Sequence, residues 1–440
     1  MLLNRDLMET LVNWKDSIGR KPLLLRGARQ VGKSSLIAQF GARCFQNILT
    51  LNFELSPQLK KCFETLQPSA ICDAIRVISQ EKIIPGETLL FLDEIQDCPE
   101  AIQALRYFKE LMPELHVIGA GSLLELKLKQ ADFRMPVGRV SFLYLYPLSF
   151  SEFLQASNPE SLGYIQQATL AKPVPAAIHD HLLKQLRLYM LLGGMPEVIA
   201  HYLQTQEIEQ VQAKQSDILT TYENDFGHYA KMSELAPLQR CFKRIPMMVG
   251  QQIKYNKIEP DMRSRELKLA LSALEAAAIM QRIHATSATG LPLDASVNDK
   301  KFKMNFVDVG LVKRINQLDA SLLLNKDIML LNQGALAEQF VGQELLATSS
   351  HFENTKLYFW ARDESGGAEV DYVRLIGDQI VPIEVKSGKL GRLRSLQMYL
   401  ETHDCTHGVR ISVQALSMEK GVLTIPLYMV GELDRLVGSA

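Results

Sequence analysis

The sequence predicts an α/β protein with a parallel sheet at its N-terminus, a mainly helical middle and a second α/β part at its C-terminus. Three observations support this prediction. A short apolar run at 23–26 leads into a glycine-rich loop and a helix-like stretch, while a longer apolar run at 88–92 ends in two acids. Residues 160–330 have mostly helical periodicity, and residues 334–413 alternate helix and strand patterns. We therefore divide the chain into 1–158, 159–330 and 331–440.

The composition is that of a globular protein and excludes several classes. The chain has 440 residues, of which 47% are hydrophobic and 22% charged, and its formal net charge is −1. A generally basic nucleic-acid-binding protein is excluded, but a local basic surface is not. No apolar stretch approaches the ~18 residues of a membrane helix, and the start of the chain lacks the apolar segment of a signal peptide. The six scattered cysteines include no Cys-x-x-Cys pair, which argues against a zinc site or a disulfide scaffold and for a reducing, cytoplasmic location. We also expect no membrane partner.

The glycine-rich loop fits the pattern G-x-x-x-x-G-K-[ST] between a strand and a helix. Gly27 and Gly32 let the backbone curl so that its N–H groups point at phosphate oxygens, and the following helix offers its positive end to the same anion. Lys33 would reach the β- and γ-phosphates, and Ser34 would bind Mg²⁺. An ordinary glycine turn with an exposed lysine is the alternative. The residues predicted to contact the nucleotide are Gly27, Ala28, Arg29, Gln30, Val31, Gly32, Lys33, Ser34 and Ser35.

A second signal follows the apolar run at 88–92, which ends in Asp93 and Glu94. Charges at the C-terminal end of a buried strand lie where α/β sheets bind ligands. Asp93 would hold the Mg²⁺ through water, and Glu94 would orient and polarise the attacking water. A solvated turn after the strand is the alternative for these two acids taken alone. Together with the loop, they predict ATP and Mg²⁺ as cofactors and hydrolysis of ATP to ADP and phosphate.

Two further residues are candidates for catalysis. Ser122 follows a third apolar run at 115–120, so it could touch the γ-phosphate or the attacking water, although a simple Gly-Ser turn explains it nearly as well. Arg139 precedes the run at 143–148 and could act in trans on the γ-phosphate bound by a neighbouring subunit. An ordinary surface arginine is the alternative. Arg134 is a weaker candidate for the same role.

Segments 26–34, 90–96, 146–153 and 301–311, together with Gly-Gly-Met-Pro-Glu at 193–197, carry a family resemblance. They resemble the prokaryotic AAA-type P-loop ATPases with a C-terminal domain of unknown function, and the resemblance covers nearly the whole chain. It implies an AAA-type core, a winged-helix middle and a C-terminal restriction-endonuclease-like domain. An AAA-type ATPase would also form a homo-oligomer, with a hexameric ring favoured.

The middle segment is the basic part of the chain. Residues 231–330 carry sixteen Lys and Arg against ten Asp and Glu. A helix is predicted from Asp261, its candidate N-cap, to 274, with Arg263, Arg265 and Lys268 in its first turns. A strand at 279–284 and a polar, flexible wing at 288–290 follow, an order that suggests a winged helix whose basic helix contacts DNA. A helical packing domain with basic decoration is the alternative.

The C-terminal segment predicts an acidic site. An amphipathic helix at 334–346 carries Glu338, and strands at 369–375 and 380–386 follow. Because strand side chains alternate, Asp371 shares a face with the acid at 369, and Glu384 shares one with Lys386. Neighbouring strands would bring Asp371, Glu384 and Lys386 together as a Mg²⁺ site, with Glu338 completing it. The arrangement resembles restriction-endonuclease-like domains, with Val370 where the family has proline; carboxylates that only pair with Lys386 are the alternative.

These patterns support three functional hypotheses. The first is an AAA-type ATPase that acts on DNA through its winged-helix and nuclease-like parts. The second is a nucleotide-gated, Mg²⁺-dependent nuclease, and the third is a nucleotide-dependent switch that binds proteins and has no activity on nucleic acid. DNA stimulation of ATP hydrolysis would separate the first hypothesis from the third.

Overall fold

The computed structural model describes residues 3–122, 124–125, 138–229, 234–318, 334–362, 367–386, 393–403, 405 and 407–439. Its first part is a five-stranded parallel sheet in the order β2-β3-β4-β1-β5. The strands are β1 (Leu23–Arg26), β2 (Asn47–Asn52), β3 (Thr88–Asp93), β4 (His116–Ala120) and β5 (Ser141–Tyr144). The helices between them are α1 (Leu7–Lys15), α2 (Lys33–Cys44), α3 (Pro68–Ser79) and α4 (Pro99–Leu111).

Helices cover both faces of this sheet, because alternate side chains of its apolar strands point to opposite sides. On one face, Leu23 and Phe91 pack in the same cluster as Phe40 of α2. On the other, Leu24 and Leu92 pack with α3 and α4. Burial on both sides explains why the strands are continuous apolar runs. At the edge that carries the glycine-rich loop, β2 and β3 each end in a polar residue.

The middle segment is a layer of helices that packs on the first part through the same apolar cluster. Helix α5 (Phe150–Ser157) ends the first part. The helices of the middle segment are α6 (Pro159–Gln167), α7 (Ala176–Leu192), α8 (Pro196–Thr205), α9 (Ile208–Asn224), α10 (Phe226–Tyr229), α11 (Leu235–Arg244), α12 (Tyr255–Ile258) and α13 (Ser264–Ala276). Gly193 is the C-cap of α7. Among the described helices, none combines the length and apolar character needed to cross a bilayer.

The three helices α11, α12 and α13 pack together and lead into an antiparallel hairpin of β6 (Met280–Thr286) and β7 (Val297–Phe306). The predicted order of a basic helix, a strand and a polar segment is present here as α13, β6 and the residues after β6. However, the hairpin is not a separate wing, because β6 also pairs in parallel with β8 (Leu357–Ala361) of the C-terminal segment. The tip is held as well, since the His403 imidazole hydrogen-bonds to the Ser287 carbonyl oxygen at 2.8 Å.

The C-terminal segment therefore builds one eight-stranded sheet together with this hairpin, in the order β12-β13-β11-β10-β9-β8-β6-β7. Its elements are α14 (Val309–Ile315), α15 (Ala335–Ala347), β9 (Glu369–Ile376), β10 (Gln379–Val385), α16 (Arg394–His403), β11 (Gly408–Ser412), β12 (Ser417–Glu419), β13 (Val422–Pro426) and α17 (Leu433–Gly438). The sheet crosses the division predicted at residue 330, which stays a prediction.

Two details of the sequence-based expectations are wrong. The helix predicted from Asp261 begins at Ser264, because Arg263 has extended backbone angles (φ −68°, ψ 134°) and no side chain caps the helix. The helix at 335–347 is not amphipathic: every residue from Leu336 to Leu346 is buried. Its polar residues are buried because they accept and donate hydrogen bonds to neighbouring elements, which hydrophobic periodicity does not reveal.

Candidate functional site

The glycine-rich loop, residues 27–34, turns between β1 and α2 at the C-terminal edge of the parallel sheet. Gly27 has φ +147°, and a Cβ there would overlap the backbone carbonyl oxygen of Leu145, just after β5, so only glycine fits. Buried Ala28 and Val31 anchor the loop in the apolar core. The residues predicted to contact the nucleotide, from Gly27 to Ser35, thus lie in the loop and in the first turn of α2, which begins at Lys33.

Lys33 is buried, with 8% of its surface exposed, and its ammonium donates to the carbonyl oxygens of Gly27 at 3.0 Å and Ala28 at 2.8 Å. Burial lowers the pKa of Lys33 to about 8, although the carboxylates of Glu94 and Asp93 oppose the shift. A cation held inside a loop of backbone dipoles at a helix N-terminus has the chemistry to receive an anion.

Ser34 and Asp93 lie 59 positions apart in the sequence and are brought into direct contact. The Ser34 hydroxyl donates to the two carboxylate oxygens of Asp93 at 3.0 and 3.1 Å. Asn52, the last residue of β2, donates its amide to the same carboxylate at 3.1 Å. Burial raises the pKa of Asp93, and the hydrogen bonds from Ser34 and Asn52 oppose that rise. Hydroxyl and carboxylate oxygens are the ligands that Mg²⁺ prefers, so the donor set fits the predicted ion.

Glu94 follows directly, in a left-handed conformation with φ +48°. Its carboxylate accepts a hydrogen bond from the Gln96 side-chain amide at 2.6 Å. Sequence reasoning missed Asn52 and Gln96, although Asn52 shows the same signal as Asp93, a polar residue where a buried strand ends. Ser122 lies just beyond β4, and its buried hydroxyl has no hydrogen-bond partner among the described residues.

Arg139 lies away from this edge. It precedes β5 at the N-terminal end of the strands, and its guanidinium donates to Glu110 at 2.8 Å. About half of the Arg139 side chain is exposed, so it does not reach the phosphate loop of its own chain. A role in trans stays a prediction. Arg134 lies outside the described residues.

Residues far away in the sequence support the loop from outside. The guanidinium of Arg5 donates to the Val31 carbonyl oxygen at 2.9 Å and pairs with buried Glu152 at 2.9 Å. Arg29 at the loop tip pairs with Asp225, between α9 and α10, at 3.1 Å. The loop is therefore held by the N-terminal segment on one side and by the middle segment on the other.

A cavity of about 200 Å³ opens beside the first turn of α2. Leu3, Leu36 and Pro196 give it apolar walls, and Ser35 and Glu197 add polar groups. Pro196 belongs to the Gly-Gly-Met-Pro-Glu segment and lies next to Gly32 of the loop. Middle-segment residues thus form one wall of a pocket that begins at the phosphate loop.

The acids predicted for the C-terminal site also lie close together, but around a lysine that sequence reasoning missed. The Lys303 ammonium on β7, with no exposed surface, lies 2.7 Å from Glu338 and 3.6 Å from Asp371. It also pairs with Glu369. Burial alone would lower the pKa of Lys303, but these three carboxylates raise it above its ordinary value. Burial in turn raises the pKa of Glu338 to about 7, against the pull of Lys303.

Glu384 and Lys386, on the other predicted face, form an ion pair with each other. Asp371 connects the two groups, because its second carboxylate oxygen accepts from the Val385 backbone N–H at 2.8 Å. Among the described residues, no group of three or more His, Cys, Asp or Glu side chains has a geometry suited to a metal ion. The predicted residues are neighbours, but the arrangement is one of ion pairs.

The basic residues predicted to contact DNA lie on the outer face of α13. Arg263, Arg265 and Lys268 are all exposed, while Leu267 and Leu271 of the same helix are buried in the core. No ion pair involves these three cations among the described residues. They form a solvent-facing basic surface, referred to below as the α13 basic face.

Family models match three parts of the chain. Residues 19–154 match an AAA domain, and residues 183–322 and 333–429 match two domains of unknown function, DUF8612 and DUF4143. An uncharacterised protein of Haemophilus influenzae is 26% identical over 277 residues, covering 61% of this chain. The match also spans 61% of the length of this curated relative.

Three solved structures are similar at low identity. The Walker-type ATPase PABY2304 of Pyrococcus abyssi has 15% identity and a TM-score of 0.45, over 71% of this chain and 96% of that one. The Aeropyrum pernix ORC1 protein in complex with DNA has 12% identity and a TM-score of 0.27, over 71% and 90%. The Thermotoga maritima RuvB Holliday junction branch migration motor has 14% identity and a TM-score of 0.26, over 64% and 90%.

The assignment of the first part rests on its own features and on the AAA-domain match. A five-stranded parallel sheet carries a glycine-rich loop after β1 and an acid pair after the buried strand β3, at one edge. By this arrangement and by the family match, residues 19–154 form an AAA-type domain with the P-loop ATPase fold.

Proposed function

We propose that this protein binds ATP with Mg²⁺ at residues 27–35 and hydrolyses it to ADP and phosphate. The observation that carries the proposal is the contact between Ser34 and Asp93 at 3.0 Å, beside the buried ammonium of Lys33. The hydroxyl and the carboxylate are the two groups that would hold Mg²⁺, and the ammonium is the group that would meet the β- and γ-phosphates. The fold places all three at one edge of the sheet.

The loop's own hydrogen bonds indicate how a triphosphate would be received. Lys33 now donates to the carbonyl oxygens of Gly27 and Ala28, and it would exchange these acceptors for phosphate oxygens. Glu94, which accepts a hydrogen bond from Gln96, would orient the attacking water as the base. Mg²⁺, when bound by Ser34 and Asp93, would neutralise charge at the phosphates.

The cavity beside α2 is the proposed place for the base and ribose. It begins at Gly32 of the loop and Ser35 of α2, and it continues between the apolar side chains of Leu3, Leu36 and Pro196. Apolar walls with a few polar groups are typical of sites for flat heterocycles. Binding there would join the first part to the middle segment through one ligand.

Ring assembly belongs to the same proposal. Arg139 is half exposed and remote from the phosphate loop of its own chain, so it has a catalytic role only if it reaches a neighbouring subunit. A homo-oligomeric ring, with a hexamer favoured, supplies that neighbour. The six cysteines are free thiols, which supports the cytoplasmic location proposed with it.

Steady-state ATP hydrolysis with Mg²⁺ tests the enzymatic proposal. We expect Lys33→Ala to lose nucleotide binding, and Glu94→Gln to retain binding while hydrolysis falls at least about a hundredfold. Lys61→Ala and Glu81→Gln are matched controls, because both residues are exposed and remote from the loop, and they should hydrolyse ATP like the wild type. Unchanged hydrolysis in both site variants would refute the proposed site.

The α13 basic face supports DNA as the partner of this ATPase. Arg263, Arg265 and Lys268 are exposed near the start of a helix whose other face is buried, so their charges are available to phosphates. The segment containing them is the part of the chain with excess positive charge.

Salt-dependent DNA binding tests this second part. Replacing Arg263, Arg265 and Lys268 by Gln should reduce the slope of log affinity against log salt by about 2 to 3, since each phosphate contact contributes about 0.9. The control is a triple Gln variant of the exposed Lys61, Lys82 and Lys172, which should keep the wild-type slope. Equal slopes for both variants, or ATP hydrolysis that DNA does not stimulate, would favour the protein-binding switch.

A further inference from the structure

The C-terminal acids do not fit the divalent cation that a restriction-endonuclease-like domain implies. The centre of the group formed by Glu338, Glu369 and Asp371 is filled by the ammonium of Lys303. That ammonium is fully buried, and it faces the Phe359 ring at 5.2 Å. A positive charge of the chain itself therefore occupies the position where three carboxylates converge.

Several of the oxygens that a metal would need are also used by protein donors, and Oε2 of Glu384 is the one buried without a hydrogen-bond partner among the described residues of this group. The second oxygen of Glu369 accepts from the Gln252 side-chain amide at 2.6 Å. The second oxygen of Asp371 accepts from the Val385 N–H at 2.8 Å, and the Glu384 carboxylate pairs with Lys386. A cation entering this group would have to displace Lys303 and break several of these bonds.

The cost of such a displacement is high. Buried carboxylates without a counter-charge are strongly unfavourable, and removing one partner of a buried ion pair typically destabilises by about 3–5 kcal/mol. Lys303 is also fixed on the edge strand β7, where it lies opposite Ile283 of β6 and the residues before and after it pair with β6 as well. It is thus a resident cation and not a mobile side chain at the rim of an open site.

We propose that Lys303 is the built-in cation of the C-terminal acidic centre, takes the place of a divalent metal there, and leaves the wild-type domain unable to bind a divalent metal at Asp371. The domain then serves to carry and position the neighbouring segments, and it is not a metal-dependent nuclease. This inference is independent of the ATPase proposal, because none of its residues lies at the phosphate loop.

The origin of Lys303 gives the centre a second role. Lys303 comes from the β6–β7 hairpin of the middle segment, whereas Glu338, Glu369 and Asp371 belong to the C-terminal segment. Their ion pairs therefore fasten the hairpin to the C-terminal sheet from inside, in addition to the strand pairing of β6 with β8. Loss of the ammonium should loosen this junction as well as expose the acids.

Binding of Mn²⁺ to the nucleotide-free full chain, followed by electron paramagnetic resonance, tests the proposal. Wild type and Asp371→Asn should bind the same amount of Mn²⁺, since the centre is closed to metal. Lys303→Gln should bind about one additional Mn²⁺ per chain, and the double variant with Asp371→Asn should lose it. Lys356→Gln, which removes a lysine of the same sheet outside the centre, should show no gain.

Two outcomes would overturn the proposal. One is Mn²⁺ bound by the wild type and lost in Asp371→Asn. The other is a folded Lys303→Gln that gains no Mn²⁺, because the ammonium would then not stand in a metal position. If Lys303→Gln does not fold, the comparison of wild type with Asp371→Asn still decides. Plasmid cleavage with Mn²⁺ that Asp371→Asn abolishes would contradict the assignment as well.

Discussion

At the scale of single residues, two buried lysines have pKa values shifted in opposite directions, because their surroundings differ. Lys33 is buried among backbone carbonyls with acids at a distance, so burial dominates and lowers its pKa to about 8. Lys303 is buried among three carboxylates in contact, so its pKa is raised. The first lysine lacks an anion and is suited to receive one, whereas the second already has its anions.

Lys33 predicts a pH dependence of nucleotide binding. A bound triphosphate stabilises the charged lysine, so nucleotide affinity should be constant below pH 8 and fall above it, by up to about tenfold per pH unit. Titration with a fluorescent ATP analogue between pH 7.5 and 9.5 measures this, since the triphosphate is fully ionised throughout. Lys33→Arg, which stays charged, should remove the decline in any variant that still binds. A wild-type affinity that stays flat to pH 9.5 would contradict the pKa shift.

At the scale of elements, the Gly-Gly-Met-Pro-Glu segment joins α7 to α8 and connects distant parts of the chain. The backbone N–H of Gly194 donates to the Asp308 carboxylate at 2.5 Å. Two residues later, Pro196 lies against Gly32 of the phosphate loop. Because a short, buried turn makes both contacts, a change at one of them would be transmitted to the other.

Gly194→Ala should destabilise the protein by about 1–3 kcal/mol, since a Cβ there would overlap the Leu148 carbonyl oxygen and lie 2.9 Å from the Tyr189 hydroxyl. Urea unfolding measures the change. Gly163→Ala is the matched control: it lies in helix α6 with nothing within 4 Å of an added Cβ, so it should be neutral or stabilising by up to about 1 kcal/mol. Equal effects of both substitutions would show that the tight turn is not the cause.

At the scale of the whole molecule, a buried polar network on α15 holds the three parts together. The Gln343 amide donates to the Tyr189 hydroxyl at 2.9 Å and its oxygen accepts from the Val309 N–H at 2.8 Å. The neighbouring Glu344 carboxylate accepts from the Phe150 N–H of α5 at 2.8 Å. One helix of the C-terminal segment thus bonds to α5 at the end of the first part, to α7 and to α14.

Glu344 predicts a pH dependence of stability. Burial raises its pKa to about 8, against an unfolded value of 4.5, so the folded state binds the proton more tightly. Its contribution to the free energy of unfolding is fully present below pH 4.5 and is lost as the pH rises through 8. The free energy of unfolding of Glu344→Gln, taken relative to that of the wild type, should therefore be higher at pH 8.5 than at pH 5.5. The expected increase is on the order of a few kcal/mol.

Denaturant unfolding of both proteins at the two pH values isolates this group, because all other titrating groups are common to them. The exposed-residue variant Glu160→Gln is a suitable control and should show no pH-dependent difference from the wild type. A constant difference between Glu344→Gln and wild type at pH 5.5 and 8.5 would mean that Glu344 titrates normally.

The phosphate loop and the acids after β3 were predictable because their signals are local. Gly27 to Ser34 is one contiguous pattern, and Asp93 is marked by the apolar strand directly before it. The C-terminal prediction succeeded for the strands and for the shared faces of Glu369 with Asp371, but not for the centre of the group. Lys303 lies 35 positions before Glu338, in segment 301–311, which carried only the family resemblance and no predicted site residue.

The amino-acid sequence by itself determined the nucleotide-type loop, its acid partner and the order of helices and strands, since each depends on neighbouring residues and on periodicity. Only the tertiary structure decided what the buried charges do, because a carboxylate binds a metal or an ammonium according to which group the fold brings nearest. The pairing of β6 with β8 brought Lys303 to the acids, and no pattern within either segment contains that contact.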